Sequence, residues 1–189
     1  MELKRADVVL TRGSSFLSAL IRFFTRSIGE KRTKVNHAGI VVEGGPVEAA
    51  VVVEVLSRVK RHKLWDRYGP PGKYSIAVYR EKNLSRGEVE TIVGAAESYV
   101  GRKYGYLKIV AHLLDWLLLG AYFFRQIARM DKYPICSWLV AHSFSKGGKH
   151  FGVQPGAANP DDIWDFIQEH PDIYEEIHPL RPLEVTGDK

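Results

Sequence analysis

At 189 residues, with 45% hydrophobic and 26% charged side chains, the chain has the make-up of an ordinary folded protein, which excludes disordered and fibrous classes. A single cysteine excludes an internal disulfide framework, and the length is sufficient for a core that needs no metal or disulfide staple. The net charge of +5 is compatible with anionic partners without selecting one, and since neither basic run, Arg22 to Lys34 or Arg58 to Arg67, belongs to a recognised module, nucleic-acid binding is not expected.

In chain order, Met1-Glu2-Leu3-Lys4-Arg5-Ala6-Asp7 lacks the basic segment and apolar run of a secretory signal, so cytoplasmic residence is expected. Ala6-Asp7-Val8-Val9-Leu10-Thr11 predicts a short first strand, and Gly13-Ser14-Ser15 offers an N-cap for an amphipathic helix over 16–24. After a polar loop at 29–35, the β-branched runs 37–42, 51–56 and 76–79 are separated by Gly44-Gly45-Pro46 and by Gly69-Pro70-Pro71-Gly72. These predict a mainly antiparallel sheet in the middle third, with Arg58-Val59-Lys60-Arg61-His62-Lys63 as a basic strand.

Ser85-Arg86-Gly87-Glu88 is a capping box opening a helix that runs to about Val100, where Gly101 can end it. The most hydrophobic stretch follows, and His112 and Asp115 interrupt it, so it falls short of the roughly 20 apolar residues that a membrane span needs. Two readings stay open for Leu113 to Phe124. A buried or subunit-facing helix is favoured, and a lid or surface helix meeting acyl chains or a membrane is the alternative, supported by Lys108, Arg125 and Arg129. Gly147-Gly148 closes the next helix, and Asn159-Pro160-Asp161-Asp162 starts the last with an N-cap, a proline and acids in the first turn. No repeat or linker divides the chain, which reads as one domain over 1–189.

Chemistry concentrates at Cys136. Pro134 ends what precedes it and a helical pattern begins, so the thiol sits at a helix start, where unpaired N–H groups and the helix dipole favour thiolate, the nucleophilic form. That effect is worth about 0.3–1 kcal/mol, less than one pKa unit, so a working nucleophile also needs a histidine base.

Geometry sorts the seven histidines. His142 lies six residues beyond Cys136, about 240° around the helix, and points away. His62 lies in the basic strand between Lys60 and Lys63, whose charges oppose an imidazolium. His170 and His178 fall in the polar C-terminal region, His112 in the apolar helix, and His150 after Gly147-Gly148 stays open. His37 opens an apolar strand just after a polar loop, held rigidly yet reachable, and is the best base candidate. Its orienting acid belongs on the next strand. Glu54 interrupts Val51-Val52-Val53-Glu54-Val55-Leu56, with an outward-facing charge as the plain alternative and Glu48 and Glu43 as other candidates.

The order of His37 on a strand, an acid on the following strand, Gly101-Arg102-Lys103-Tyr104-Gly105-Tyr106, and Ile135-Cys136-Ser137-Trp138-Leu139-Val140 at a helix start resembles the circularly permuted papain-like amidases. These are relatives of the NlpC-type cysteine peptidases, in a YiiX-like branch related to the lecithin:retinol acyltransferase-like enzymes. The likeness runs from about Ala6 to about Phe166, including the opening Asp7-Val8-Val9-Leu10-Thr11-Arg12-Gly13 and the Pro160-Asp161-Asp162 segment. The resemblance implies an α+β, papain-like fold in which a small antiparallel sheet packs against helices that include the cysteine helix. It also implies a triad of Cys136, His37 and Glu54, with Tyr104 near the thiol assisting the oxyanion beside the Cys136 N–H. Trp138 departs from the small or acidic residue of the pattern, and the pocket beside the nucleophile is therefore expected to differ.

The expected activity is that of a thiol hydrolase or acyltransferase acting on an amide or ester through an acyl-enzyme, most simply a peptidase or amidase. A lipid acyl hydrolase or acyltransferase is the alternative, and a non-catalytic binding module with a basic surface is the remaining class. Peptide or lipid-like acyl substrates are the expected partners, with a peripheral membrane or oligomer contact through Leu113 to Phe124. No cofactor is expected, and no metal, since no His-x-His, His-x-x-x-His or paired-cysteine spacing is present.

Overall fold

The computed structural model describes residues 1–13, 34–103 and 136–184. The helix expected over 16–24, Tyr104 and the stretch Leu113 to Phe124 lie outside the described residues.

The strands are β1 (Glu2–Leu3), β2 (Val8–Arg12), β3 (His37–Glu43), β4 (Gly45–Pro46), β5 (Val51–Val55), β6 (Val59–Lys63), β7 (Ser75–Glu81) and β8 (Tyr174–Arg181). The helices are α1 (Leu64–Tyr68), α2 (Arg86–Glu97), α3 (Cys136–Lys146) and α4 (Pro160–Glu169). Six strands form one antiparallel sheet in the order β6-β5-β3-β2-β7-β8, while β1 and β4 pair separately. The fold is α+β, with the cysteine on a helix packed against this sheet.

Both faces of the sheet are covered. Val8, Leu10, Ala38, Ile40, Val53, Val55 and Ala77 face the core shared with α2, α3 and α4. Val9, Val41, Val52, Ile76 and Val78 face a second core with Leu3, Val47, Leu64 and Tyr68. Burial on both sides explains why β2, β3 and β5 read as continuous apolar runs, a pattern more usual in parallel sheets than in half-solvated antiparallel ones. It also leaves Glu54 with no wet face, so the plain reading of an outward charge does not hold: the residue is 1% exposed.

Capping signals place the helices. Glu88 N–H donates to Ser85 Oγ at 3.3 Å and Ser85 N–H to Glu88 Oε2 at 2.6 Å, closing the expected box at the start of α2. That helix ends at Glu97 with Ser98 as its cap, a turn earlier than expected, and Gly101 takes a positive φ of 88° after a further tight turn. There Gly101 N–H donates to Val59 O, docking the turn on β6. Asn159 caps α4 with Pro160 in its first turn and Asp162 returning the box. Two elements were not expected: β8, which adds a sixth strand from the polar C-terminal region, and the short helix α1. Among the described residues, no helix is long and apolar enough to cross a membrane.

Candidate active site

The loop before β3 is tied down on three sides. Asn36 N–H donates to Thr11 O, Gly13 N–H donates to Asn36 Oδ1 at 3.0 Å, and Lys34 N–H donates to Oδ1 of the buried Asp161 at 3.1 Å. The Pro160-Asp161-Asp162 segment thus fixes the chain three residues before His37, which enters β3 with its side chain 18% exposed. Cys136 is the first residue of α3 and is 7% exposed.

His37 Nε2 lies 2.6 Å from Glu54 Oε2, so this nitrogen carries a proton and donates to the carboxylate. The His37 ring and the Cys136 sulfur are coupled through their charges, and with Nε2 committed to Glu54 it is Nδ1 that is left for the thiol. Burial alone would push the His37 pKa down, but the Cys136 and Glu54 charges, with their hydrogen bonds, raise it above its ordinary value. Burial likewise opposes ionisation of Cys136, and His37 together with hydrogen bonds from the backbone N–H groups of Ala38 and Ser137 reverses this, lowering the thiol pKa. The pair therefore favours thiolate and imidazolium over thiol and imidazole.

Glu54 sits opposite Gly39 in the β3–β5 register. A Cβ at Gly39 would lie 3.2 Å from the Glu54 Cβ and 3.3 Å from Val53 O, so glycine keeps the space that the glutamate stem crosses. Oε2 accepts from Tyr68 OH at 2.7 Å as well as from His37, and Oε1 accepts from His62 Nε2 at 2.7 Å with Arg67 Nε at 3.5 Å. Burial works against the carboxylate, and His37, His62 and Tyr68 together hold its pKa well below the usual range. Glu43 pairs with Arg61 and Glu48 lies exposed in the turn after β4, so of the three carboxylates weighed from sequence Glu54 is the one that reaches His37.

The lysines beside His62 in sequence argue against a role as base, and the structure places it within this cluster. In the β5–β6 hairpin Glu54 faces Lys60 and Val52 faces His62, so His62 is the diagonal neighbour of Glu54 on the same face of the sheet. The signal was available in the hairpin register about Leu56-Ser57-Arg58; nearest neighbours along the chain were the wrong guide. Arg67 and Tyr68 arrive from α1.

Trp138 is 2% exposed, packs edge-on against Tyr99 with centroids 5.1 Å apart, and stacks on His142 at 4.4 Å. Two residues on from Cys136, about 200° around the helix, the indole is used in seating α3. His142 accordingly lies with Trp138 and Tyr99.

The four ring nitrogens of His37 and His62 are engaged by Glu54, Cys136 and Lys63 O. Among the described residues no three or more His, Cys, Asp or Glu side chains are placed to hold a metal ion. The described residues of this cluster therefore do not fit a bound metal.

No family model matches the chain, and no curated protein matches it in sequence. Among solved structures, the metalloprotein YiiX from Escherichia coli O157:H7 is similar over 95% of this chain and 86% of its own, with a TM-score of 0.55 and 20% sequence identity. The antiparallel sheet and the helices packed on it, the cysteine helix included, form a YiiX-like fold.

Proposed function

We propose that the protein is a cysteine hydrolase or acyltransferase of amide or ester bonds, most simply a peptidase or amidase of the permuted NlpC-type, papain-like superfamily. Its proposed catalytic residues are Cys136, His37 and Glu54. The observation that carries this reading is a thiol electrostatically coupled to an imidazole whose Nε2 lies 2.6 Å from a buried carboxylate. An activated thiol with a base oriented by a third group is the arrangement that nucleophilic acyl transfer requires.

In this mechanism His37 holds the proton that leaves Cys136, and the thiolate attacks the carbonyl carbon of the substrate. The tetrahedral oxyanion is met by the Cys136 N–H at the start of α3 and, on the resemblance, by Tyr104. Collapse breaks the scissile bond as His37 returns its proton to the departing amine or alkoxide, leaving a thioester on Cys136. Water, or another nucleophile in a transferase, then gives its proton to His37 and attacks the thioester, releasing the acyl group and restoring the thiol. Glu54 holds His37 by its Nε2–H throughout and supports the cation.

The test is the pH dependence of Cys136 alkylation by iodoacetamide, in the parent and in His37→Ala, beside turnover of a panel of peptide amides and acyl esters by the parent and Cys136→Ala. Reaction at pH 6 that vanishes with His37, and turnover that vanishes with Cys136, supports the proposal. A profile rising only near the ordinary thiol value of about 8.5 defeats it. The lipid alternative draws on the acyltransferase-like resemblance and the apolar stretch Leu113 to Phe124. Preference for long acyl esters over peptide amides in the same panel, with flotation on liposomes, selects it.

A further inference from the structure

Resting on that reading and extending it, we propose that His62 is a positioning residue of the site, a charged imidazolium that clamps Glu54 Oε1 and thereby aims Oε2 at His37.

The charge follows from its partners. His62 Nδ1 lies 2.9 Å from Lys63 O and Nε2 lies 2.7 Å from Glu54 Oε1. A carbonyl and a carboxylate only accept, so both ring nitrogens must donate, and only the imidazolium has two N–H groups. The clamp follows from counting donors on Glu54. His37 and Tyr68 both donate to Oε2, at 2.6 and 2.7 Å. Both of these donors hold the same oxygen and leave Oε1 to be held by others. A donor on Oε1 fixes the plane, and His62 is the one at close hydrogen-bond distance, since Arg67 Nε stands off at 3.5 Å.

The surroundings decide when the clamp holds. From β5 its diagonal neighbour Glu54 favours its charge; from α1 it meets Arg67, which opposes it, with Tyr68 on the far oxygen; on its own strand Lys60 and Lys63 flank it; and His37 of β3 lies beyond the carboxylate. The Glu54 contacts prevail and the His62 pKa is raised. With its side chain 20% exposed, His62 can exchange its proton with solvent. Once neutral, one of its nitrogens turns a lone pair on an acceptor, so the ring gives up either its hold on Glu54 Oε1 or the Lys63 contact that aims it there, and the clamp is weakened. Alignment of His37 is thus linked to a proton on a residue that touches neither the thiol nor the proposed substrate.

The experiment follows two readouts in the full chain: ¹⁵N chemical shifts of the histidine rings across pH 5–10, and Cys136 alkylation by iodoacetamide over the same range, in the parent, His62→Ala and His62→Gln. Expected in the parent are a doubly protonated His62 at pH 7 and a step in alkylation rate where that ring titrates. His62→Ala loses the step and roughly tenfold of the rate at pH 6, the scale of one hydrogen bond to a charged group. His62→Gln, which keeps a donor but cannot titrate, also loses the step and recovers part of the rate; it keeps the proposal testable if the alanine variant does not fold. A neutral His62 at pH 7, or variants with the parent's profile, overturns the positioning role while leaving the Cys136–His37 reading intact. If the parent thiol behaves as an ordinary one, the proposed function itself fails and the positioning role falls with it.

Discussion

Glu54 is the residue on which the site's electrostatics turn, because it is the buried anion that His37, His62, Tyr68 and Arg67 share. Replacing it by glutamine keeps the size and removes the charge, and the amide has only one acceptor oxygen for donors that now use two. Glu54→Gln is expected to drop the pKa of both histidines, raise that of Cys136, and lower turnover by up to roughly 10⁴-fold, the scale seen when the orienting acid of a triad is neutralised. Iodoacetamide reactivity at pH 6 and steady-state rates on the best amide or ester of the panel check this. At this scale Cys136, His37 and Glu54 were legible because each breaks a local pattern: a thiol at a helix start, a histidine at a strand start, a carboxylate in a valine run. His62 was not, because its chemistry is set by a residue across a hairpin and the charges beside it in sequence point the other way.

The elements bring these residues together, and their tolerances are narrow where two strands cross the site. Gly39 lies directly opposite Glu54, and an added methyl group would meet the Glu54 Cβ at 3.2 Å and Val53 O at 3.3 Å, closer than real contacts usually run. Gly39→Ala is expected to cost about 1–3 kcal/mol in urea unfolding. It is also expected to slow Cys136 alkylation at pH 6, because the strand that must give way carries His37 two residues earlier. Loss of stability with unchanged alkylation would show that β5 yields and leaves the His37–Glu54 contact in place. Capping boxes made α2 and α4 legible from four residues each, whereas β8 was not: its sequence, Tyr174-Glu175-Glu176-Ile177-His178-Pro179-Leu180-Arg181, is mostly polar. It forms because β7 offers a free edge, with Tyr79 OH donating to Glu176 at 2.9 Å and Glu81 opposite Tyr174, which is a tertiary cause that no local window contains.

Across the whole molecule, the same site makes stability depend on pH in a way whose sign can be worked out group by group. Glu54 has its pKa lowered from 4.5, so its contribution is fully present above that value and is lost as pH falls. His62 has its pKa raised from 6.5, so its contribution is complete below 6.5 and is lost as pH rises through the folded-state value. Cys136 and His37 must be taken together. Between 6.5 and about 8.5 the unfolded pair holds one proton, on sulfur, and the folded pair holds one, on nitrogen, so folding moves a proton without binding or releasing any. Below 6.5 the unfolded pair holds two protons and the folded ion pair one, so stability rises with pH there. His178, with its pKa lowered by burial, adds to that rising limb. Stability is therefore expected to peak near pH 6.5 and to fall above it, each proton contributing a slope of at most about 1.4 kcal/mol per pH unit. Urea unfolding at half-unit steps from pH 5 to 9 checks the shape, and two variants assign its limbs. Cys136→Ala should shallow the rise below 6.5, while His62→Gln should flatten the fall and leave the rise. Two limbs answering to two residues that do not touch would show that the buried carboxylate between them, accepting from an imidazolium on either oxygen, is what joins the chemistry of the site to the stability of the fold.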